Sequence, residues 1–369
     1  MKQFWRIWLI LVLTTLTGCV KAQLEQAPDR EITFTVANYA TADTKAASLE
    51  SYNITSFKSK GFLHAEGYED ITQDFFGANG ETISARNASG SIINSGTAAS
   101  WAPSHPYYWP KSALSYINFV SWYDNGDGPS TVTETSLEWT TRTITAGDNI
   151  MFADEAWRFN DNLTSAAQYN EDAITSGVTT LFHHALAQVK FQARLSEAQE
   201  GNTSWTVTVS NFRLTNVHNT GSLILRNSDP TTAFTTKPWT NAAGTGAPVW
   251  TQTNDVETIS LNGYTTLGAA NQVVMDFRSV LPQSTYGMQL TFDYTINTTY
   301  GTQGNPISSV SENARASVDL YSAFMLYTWD MNTRYTYTLV INPKTNKITF
   351  EPTLTEGWNN DSGNSMYLE

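Results

Sequence analysis

Five histidines, His64, His105, His183, His184 and His218, are the side chains here best suited to metal binding or general base chemistry. Their spacing supports neither. His183 and His184 are adjacent, and on an extended segment neighbouring side chains point to opposite faces, so the pair cannot chelate one ion. One of the two is expected to be buried and hydrogen-bonded, and the other exposed. No His-x-His, His-x3-His or His-Glu-x-x-His run is present. Asp124-Asn125-Gly126-Asp127-Gly128 carries oxygen donors but lacks the alternating order and the closing Glu of a calcium loop, so it reads as a hairpin tip. A Gly-x-Ser-x-Gly elbow is absent; Gly90-Ser91 and Gly221-Ser222 hold single glycines expected in turns. The acidic pairs Asp154-Glu155 and Glu171-Asp172 sit in polar stretches where solvation accounts for them. Nothing indicates an active site, a metal or a cofactor, and the expectation is a protein that is not an enzyme.

One residue does have a definite covalent chemistry. Cys19 is the single cysteine of the chain. It follows a basic start (Lys2, Arg6), an apolar run from Ile7 to Leu13, and the tetrad Leu16-Thr17-Gly18-Cys19. Basic, then apolar, then small describes a secretory signal. Its ending resembles a bacterial lipobox, which implies cleavage between Gly18 and Cys19 and acylation of the Cys19 thiol. The apolar run is shorter than the ~20 residues of a spanning helix. Acylation at two or more chains gives stable anchoring, so a membrane tether is expected instead of a span. With its thiol acylated, the mature chain has no disulfide and no cysteine nucleophile.

The elements that must carry the rest are strands. The chain has 369 residues, 40% hydrophobic, enough for a real core. Lys+Arg number 21 against 34 Asp+Glu, a net charge of −13, and no basic cluster exists, so nucleic acid is excluded as a partner. Charged residues are only 15%, which leaves Thr, Ser and Asn to build the polar surface beside 12 Trp, 17 Tyr and 17 Phe. That mixture suits strands better than helices.

After a polar tether from Val20 to Glu31, Ile32-Thr33-Phe34-Thr35-Val36 alternates with period two. Tyr116 to Tyr123 does so roughly and ends in the Asp124–Gly128 turn. Val189, Phe191, Ala193 and Leu195 share a face, as do Trp205, Val207 and Val209, and Leu290, Phe292, Tyr294 and Ile296. The clearest hairpin joins Tyr335–Ile341 to Lys347–Phe350 through Asn342-Pro343-Lys344-Thr345-Asn346, where Asn346 tolerates the left-handed conformation. Val178 to Gln188 also fits a short helix. Many short strands with polar turns predict β-sandwiches. A polar stretch from Asn160 to Gly177 separates two β-rich halves, and Trp239–Thr253 and Asn297–Pro306 read as long surface connections. The expected division is 1–18 signal, 19–31 tether, 32–177 N-terminal domain and 178–369 C-terminal domain. The aromatic clusters Trp101–Trp109 and Phe324–Trp329 fill cores on the simpler reading and stack on sugars on the alternative one.

The order of these segments resembles the Bacteroidetes fimbrillin family, also called Mfa-like or fimbrillin-like proteins. Glu31-Ile32-Thr33-Phe34 with Thr44-Lys45-Ala46 is similar to the family's first strand and basic site. Ile54–Phe57 with Phe75-Phe76, Tyr107–Pro110 followed by Ile117–Tyr123, and Ile150–Ala153 followed by Leu181–Phe191 continue the match. Leu281-Pro282-Gln283, the Tyr335 hairpin and Trp358 complete it.

The resemblance implies two transthyretin-like β-sandwich domains in an all-β lipoprotein on the outer membrane, exposed at the cell surface or in a fimbrium. It also implies that a trypsin-like protease removes the first strand, here after Lys45 or alternatively after Arg30, although a cut at Arg30 leaves Ile32–Val36 in place. The groove so formed accepts a strand from a neighbouring subunit, since an emptied strand position exposes unpaired N–H and C=O groups. The implied donor is C-terminal: either Ile348, Phe350 and Leu354, or the tail containing Trp358, Tyr367 and Leu368. The implied function is non-catalytic adhesion, with other fimbrial subunits, the membrane, and host or bacterial surface glycans or proteins as partners. The alternative is a glycan-binding surface lipoprotein of the same architecture.

Overall fold

The computed structural model describes residues 31–38, 54–64, 72–94, 98–110, 115–159, 177–227, 236–302, 305–324, 327–356 and 366–367. Gly18, Cys19, Arg30, Lys45, Trp358 and Leu368 lie outside the described residues, as do the signal, almost all of the tether and Glu171-Asp172.

Among the described residues the chain is built of strands. The first are β1 (Phe34–Asn38), β2 (Ser56–His64), β3 (Thr72–Asp74), β4 (Glu81–Arg86), β5 (Ser100–Pro103) and β6 (Tyr116–Asp124). Then come β7 (Thr131–Thr133), β8 (Ser136–Thr143), β9 (Ile150–Ala153), β10 (Glu155–Phe159), β11 (Val178–His184) and β12 (Ala187–Leu195). They are followed by β13 (Gln199–Glu200), β14 (Thr203–His218), β15 (Thr220–Arg226), β16 (Thr236–Lys237), β17 (Trp250–Gln252) and β18 (Val256–Leu267). Next are β19 (Gln272–Val280), β20 (Gln283–Ser284), β21 (Gln289–Thr302), β22 (Asn305–Asp319) and one short helix, α1 (Leu320–Phe324). The last are β23 (Thr328–Trp329), β24 (Thr333–Asn342), β25 (Lys347–Glu356) and β26 (Met366–Tyr367).

The N-terminal sheet closes on itself. Its order runs β16-β10-β6-β9-β11-β1-β5-β4-β2-β3, and β2 also pairs with β6. The strands β6, β9, β11, β1, β5, β4 and β2 therefore form a ring. Inside it lies one core, with Ile32, Phe34, Val36, Phe57, Phe119 and Phe182 all at 3% exposure or less. A second core covers the outer face, where Val120, Trp122 and Phe152 meet Leu137, Trp139, Leu223, Leu225 and Trp250 of a sheet ordered β17-β15-β8-β7. Cover on both faces explains why β6 is buried along most of its length and only roughly alternating in sequence.

The C-terminal half is a sandwich. Sheet β19-β12-β24-β25-β26 faces a sheet in which β14 lies between β18 and β21, and β22 follows β21. Between them pack Val189, Phe191, Val207, Phe212, Leu290, Phe292, Tyr335 and Tyr337. The all-β expectation holds, and so does the late hairpin: β24 and β25 pair from Asn342↔Lys347 to Thr333↔Glu356. Asn346 at its turn has φ 56°, and the Asn342 side chain accepts from Lys344 N at 3.0 Å.

Four readings are corrected. Val178–Gln188 contains no helix: β11 carries strict in-out alternation and pairs with β1 and β9. Asn297–Pro306 is largely strand, because Thr and Asn there are hydrogen-bonded on one side to β14 and on the other to β22. Trp239–Thr253 is no mere surface connection: Trp239 and Trp250 are buried, and their indole N–H groups donate to Ala153 O and Ala185 O at 2.7 Å each. Gly221 lies in a strand, where a Cβ would stand 2.9 Å from Thr251 O, and not in a turn. Pairing also runs across position 177: β11 joins the N-terminal ring, and β15 returns to pair with β8.

Candidate functional site

Strand β1 is the one element of the ring contributed by the chain upstream of Asn38 among the described residues. Its period-two pattern sends Ile32, Phe34 and Val36 inward, at 0%, 1% and 3% exposure. The Phe34 ring meets Phe57 at 5.8 Å and Phe119 at 5.3 Å, both edge-on, and Phe76 at 6.4 Å. Edge-on aromatic pairs place a positive ring edge on a negative face, adding to the gain from burial. Burying an apolar side chain of this size contributes about 1.5–3 kcal/mol, so Phe34 and Val36, with Ile32 just ahead of the strand, hold it firmly.

The backbone of β1 is held asymmetrically. On one side it runs parallel to β11, with Phe34↔Val178 through Asn38↔Phe182 in register. On the other side it meets β5 at the single pair Phe34↔Trp101. Ile32 N donates to Tyr107 O at 2.7 Å, and Glu31 bridges Tyr108. Gly177 sets the entry to β11: its φ is +87°, and Val178 N donates to Thr33 O at 2.7 Å. Withdrawing β1 would leave a slot one strand wide, apolar at its floor, with β11 N–H and C=O groups unpaired.

The C-terminal donor candidates divide. β25, which holds Ile348, Phe350 and Leu354, pairs with β24 along its whole length, and Ile348 packs on the C-terminal core. β26 pairs with β25 only at Thr353↔Tyr367 and Leu354↔Met366. The structure therefore does not bring these segments to β1 within one chain: β25 and β26 belong to the C-terminal sheet and β1 to the N-terminal ring.

The groups with catalytic potential are scattered. His183 Nε2 donates to Asp154 Oδ1 at 2.9 Å and its ring stacks on Phe152, while His184 is buried with Nδ1 3.1 Å from Asn149 Oδ1. Burial, with Arg334 and His183 adding like charge, pushes the His184 pKa down to about 3. His64 lies 2.5 Å from Glu134 and stacks on Tyr116, and His105 Nδ1 lies 3.0 Å from Ser104 Oγ. Contrary to the expectation of solvated loops, Asp154 and Glu155 are buried, at 7% and 0% exposure, and Asn227 donates to Glu155. Among the described residues no three His, Cys, Asp or Glu side chains are grouped to hold a metal.

At the Asp124 turn the cation is an arginine. Arg142 reaches Asp124 at 3.2 Å, Asp127 at 3.4 Å and Asp148 at 3.7 Å. This arrangement, like the role of Gly177, escaped the sequence reading. The partners Asp124, Asp127 and Asp148 flank Arg142 on two separate turns, and only the density of Asp and Gly in 124–128 hinted at it. Of the aromatic clusters, Trp101, Trp109 and Trp329 are buried at 4%, 7% and 1%, as core filling requires, whereas Tyr108 and Tyr327 are exposed at 46% and 53%.

The family model described as fimbrillin-like matches residues 70–358. No curated protein sequence matches the chain. Among solved structures, a fimbrial protein from Bacteroides vulgatus ATCC 8482 aligns at 14% identity and a TM-score of 0.47, over 90% of this chain and 100% of that one. A protein assigned to cell adhesion from Bacteroides uniformis ATCC 8492 aligns at 15% identity and a TM-score of 0.45, again over 90% and 100%. A third, also assigned to cell adhesion, from Bacteroides ovatus ATCC 8483, aligns at 12% identity and a TM-score of 0.40, over 91% and 100%.

Proposed function

This chain belongs to the fimbrillin-like family, and on that premise we propose that it is a lipid-anchored subunit of a surface fimbria, or an adhesin associated with one, that joins its neighbours by replacing β1 with a strand from the next subunit. The observation that carries the reading is the place of β1 in a closed ring. A strand at a free edge could be lost with the rest of the sheet unchanged. Loss of β1 instead opens the ring between β11 and β5 and uncovers the bed formed by Phe57, Phe76 and Phe119. Only an incoming strand with alternate apolar side chains restores both the ladder and the core.

Cleavage after Lys45 removes the whole of β1; cleavage after Arg30 retains it. Lys45 is thus the site consistent with exchange. The C-terminal tail beyond Glu356 is the better donor. Its one described strand, β26, is held at two register positions, whereas release of β25 would strip β24 of a partner along ten. Met366, Tyr367 and Leu368 supply apolar side chains at the end of that tail. Cys19 fastens the uncleaved precursor to the outer membrane, and the same cut that frees the slot releases the subunit from its anchor.

The test is limited trypsin digestion of purified protein, followed by N-terminal sequencing and gel electrophoresis without boiling. Cleavage at Lys45 with SDS-resistant multimers is the expected result. Cleavage at Lys45 that yields only monomers contradicts strand exchange.

A further inference from the structure

A cleft of about 620 Å³ opens on the outer face of the N-terminal ring, away from the β1 slot. Its floor is a row across three strands. Thr82 of β4 pairs with Lys58 of β2, and Lys58 pairs with Trp122 of β6. Residues directly opposite in antiparallel strands share a face, so hydroxyl, ammonium and indole stand side by side.

Both walls are fixed in place. One is the turn carrying Asn79, closed by Gly77 N to Asp74 O at 3.3 Å and Gly80 N to Gly77 O at 3.1 Å. Gly80 has φ +66°, and a Cβ there would stand 2.7 Å from Ser59 O and 3.3 Å from Trp122. No other residue lets that turn sit so close to β2. The opposite wall is the loop through Asp127, locked by the three carboxylate contacts of Arg142. Walls that are already ordered lose little freedom when a ligand arrives.

The charge of the cleft is balanced. The Lys60 ammonium is paired with Asp74 at 3.2 Å and donates to Val132 O at 3.4 Å. The Asp124 carboxylate is taken up by Arg142, by Trp139 Nε1 at 3.0 Å and by Gly126 N at 2.7 Å. Lys58, exposed on the floor, remains to face a ligand beside Asp127, which meets Arg142 through Oδ2 at 3.4 Å and is still 96% exposed on the wall. Such a site selects neither an anion nor a cation. It offers donors at Lys58 and Asn79, acceptors at Asp127, Asn79 and Thr82, and an apolar neighbour in Trp122. Its volume lies in the ~300–1,000 Å³ range of small-molecule sites.

We propose that this cleft binds a neutral saccharide, whose hydroxyls pair with Lys58, Asn79 and Asp127 above the small part of Trp122, 7% exposed, that reaches the cleft. The proposal does not rest on strand exchange, since none of these residues touches β1. The test is binding of the full chain to a printed array of neutral and acidic glycans, followed by titration with the best neutral binder. Lys58→Ala and Asn79→Ala are each expected to weaken that binding about tenfold or more, the loss of about one charge-assisted or buried hydrogen bond. Both variants should keep the parent melting temperature and, after trypsin, the parent multimer pattern. Binding confined to acidic glycans, no binding at all, or equal binding by parent and both variants would overturn the proposal. A parent that binds neutral glycans yet never multimerises would leave this site standing and refute strand exchange.

Discussion

A Cβ placed on Gly177 would stand 2.9 Å from the carbonyl oxygen of Thr33. The only glycine at the mouth of β11 is thus pressed against the backbone of β1, with φ +87°, a conformation that other residues adopt at a cost of about 1–3 kcal/mol. Gly177→Ala should therefore loosen β1 without altering any side chain of the core. Hydrogen exchange at the Val178 amide, which donates to Thr33 O, should accelerate by at least about tenfold. An unchanged rate would mean that Gly177 plays no part in seating the strand.

Phe34 should be the most costly truncation in β1. It is 1% exposed and touches three other phenylalanine rings. Phe34→Ala leaves a cavity inside the ring, and removal of a buried Phe costs roughly 3–5 kcal/mol. Urea denaturation checks this. Thr35→Ala on the same strand, pointing away from that core, should cost less than about 1 kcal/mol.

The sequence made some of this legible and left the rest hidden for physical reasons. Ile32-Thr33-Phe34-Thr35-Val36 announced a half-buried strand because alternation follows directly from the pleat. Asn342 to Asn346 announced a turn through local chemistry alone. β6 was harder, since two cores claim its two faces and blur the period. The polar strands near Asn297 were missed because their stability comes from ladders on both sides, which no local pattern records. Ring closure was invisible for the same reason: β1 and β11 are about 140 residues apart, and the contact of Phe34 with Val178 follows from topology.

His184 should make the protein acid-sensitive. Its folded pKa of about 3 lies below the unfolded value of about 6.5, so below that pH the unfolded chain takes up a proton that the folded chain refuses. Its contribution is intact above pH 6.5 and declines as pH falls toward 3, by up to about 1.4 kcal/mol per pH unit. Between pH 6 and 5, before most carboxylates titrate, the urea midpoint of the parent should fall more steeply than that of His184→Gln. Parallel slopes would contradict a neutral, buried His184.

Arg142 should be structural. The Asp124 side chain is fully buried against it. Arg142→Ala leaves that carboxylate without its countercharge, a change that costs about 3–5 kcal/mol in comparable buried pairs. Arg142→Lys should recover part of this, since a lysine ammonium supplies charge but not the forked geometry that spans three carboxylates. Thermal melts of the two variants separate charge from geometry.

The most direct measurement follows the chain cut after Lys45 and then deleted from residue 358 onward. The cut full-length chain should form SDS-resistant multimers in which the β1 peptide is gone, and the tail-deleted chain should stay monomeric with an open, protease-sensitive ring. Multimers that form equally well without the tail, or a cut chain that keeps its β1 peptide bound and never multimerises, would contradict the replacement of β1 by a neighbour's tail.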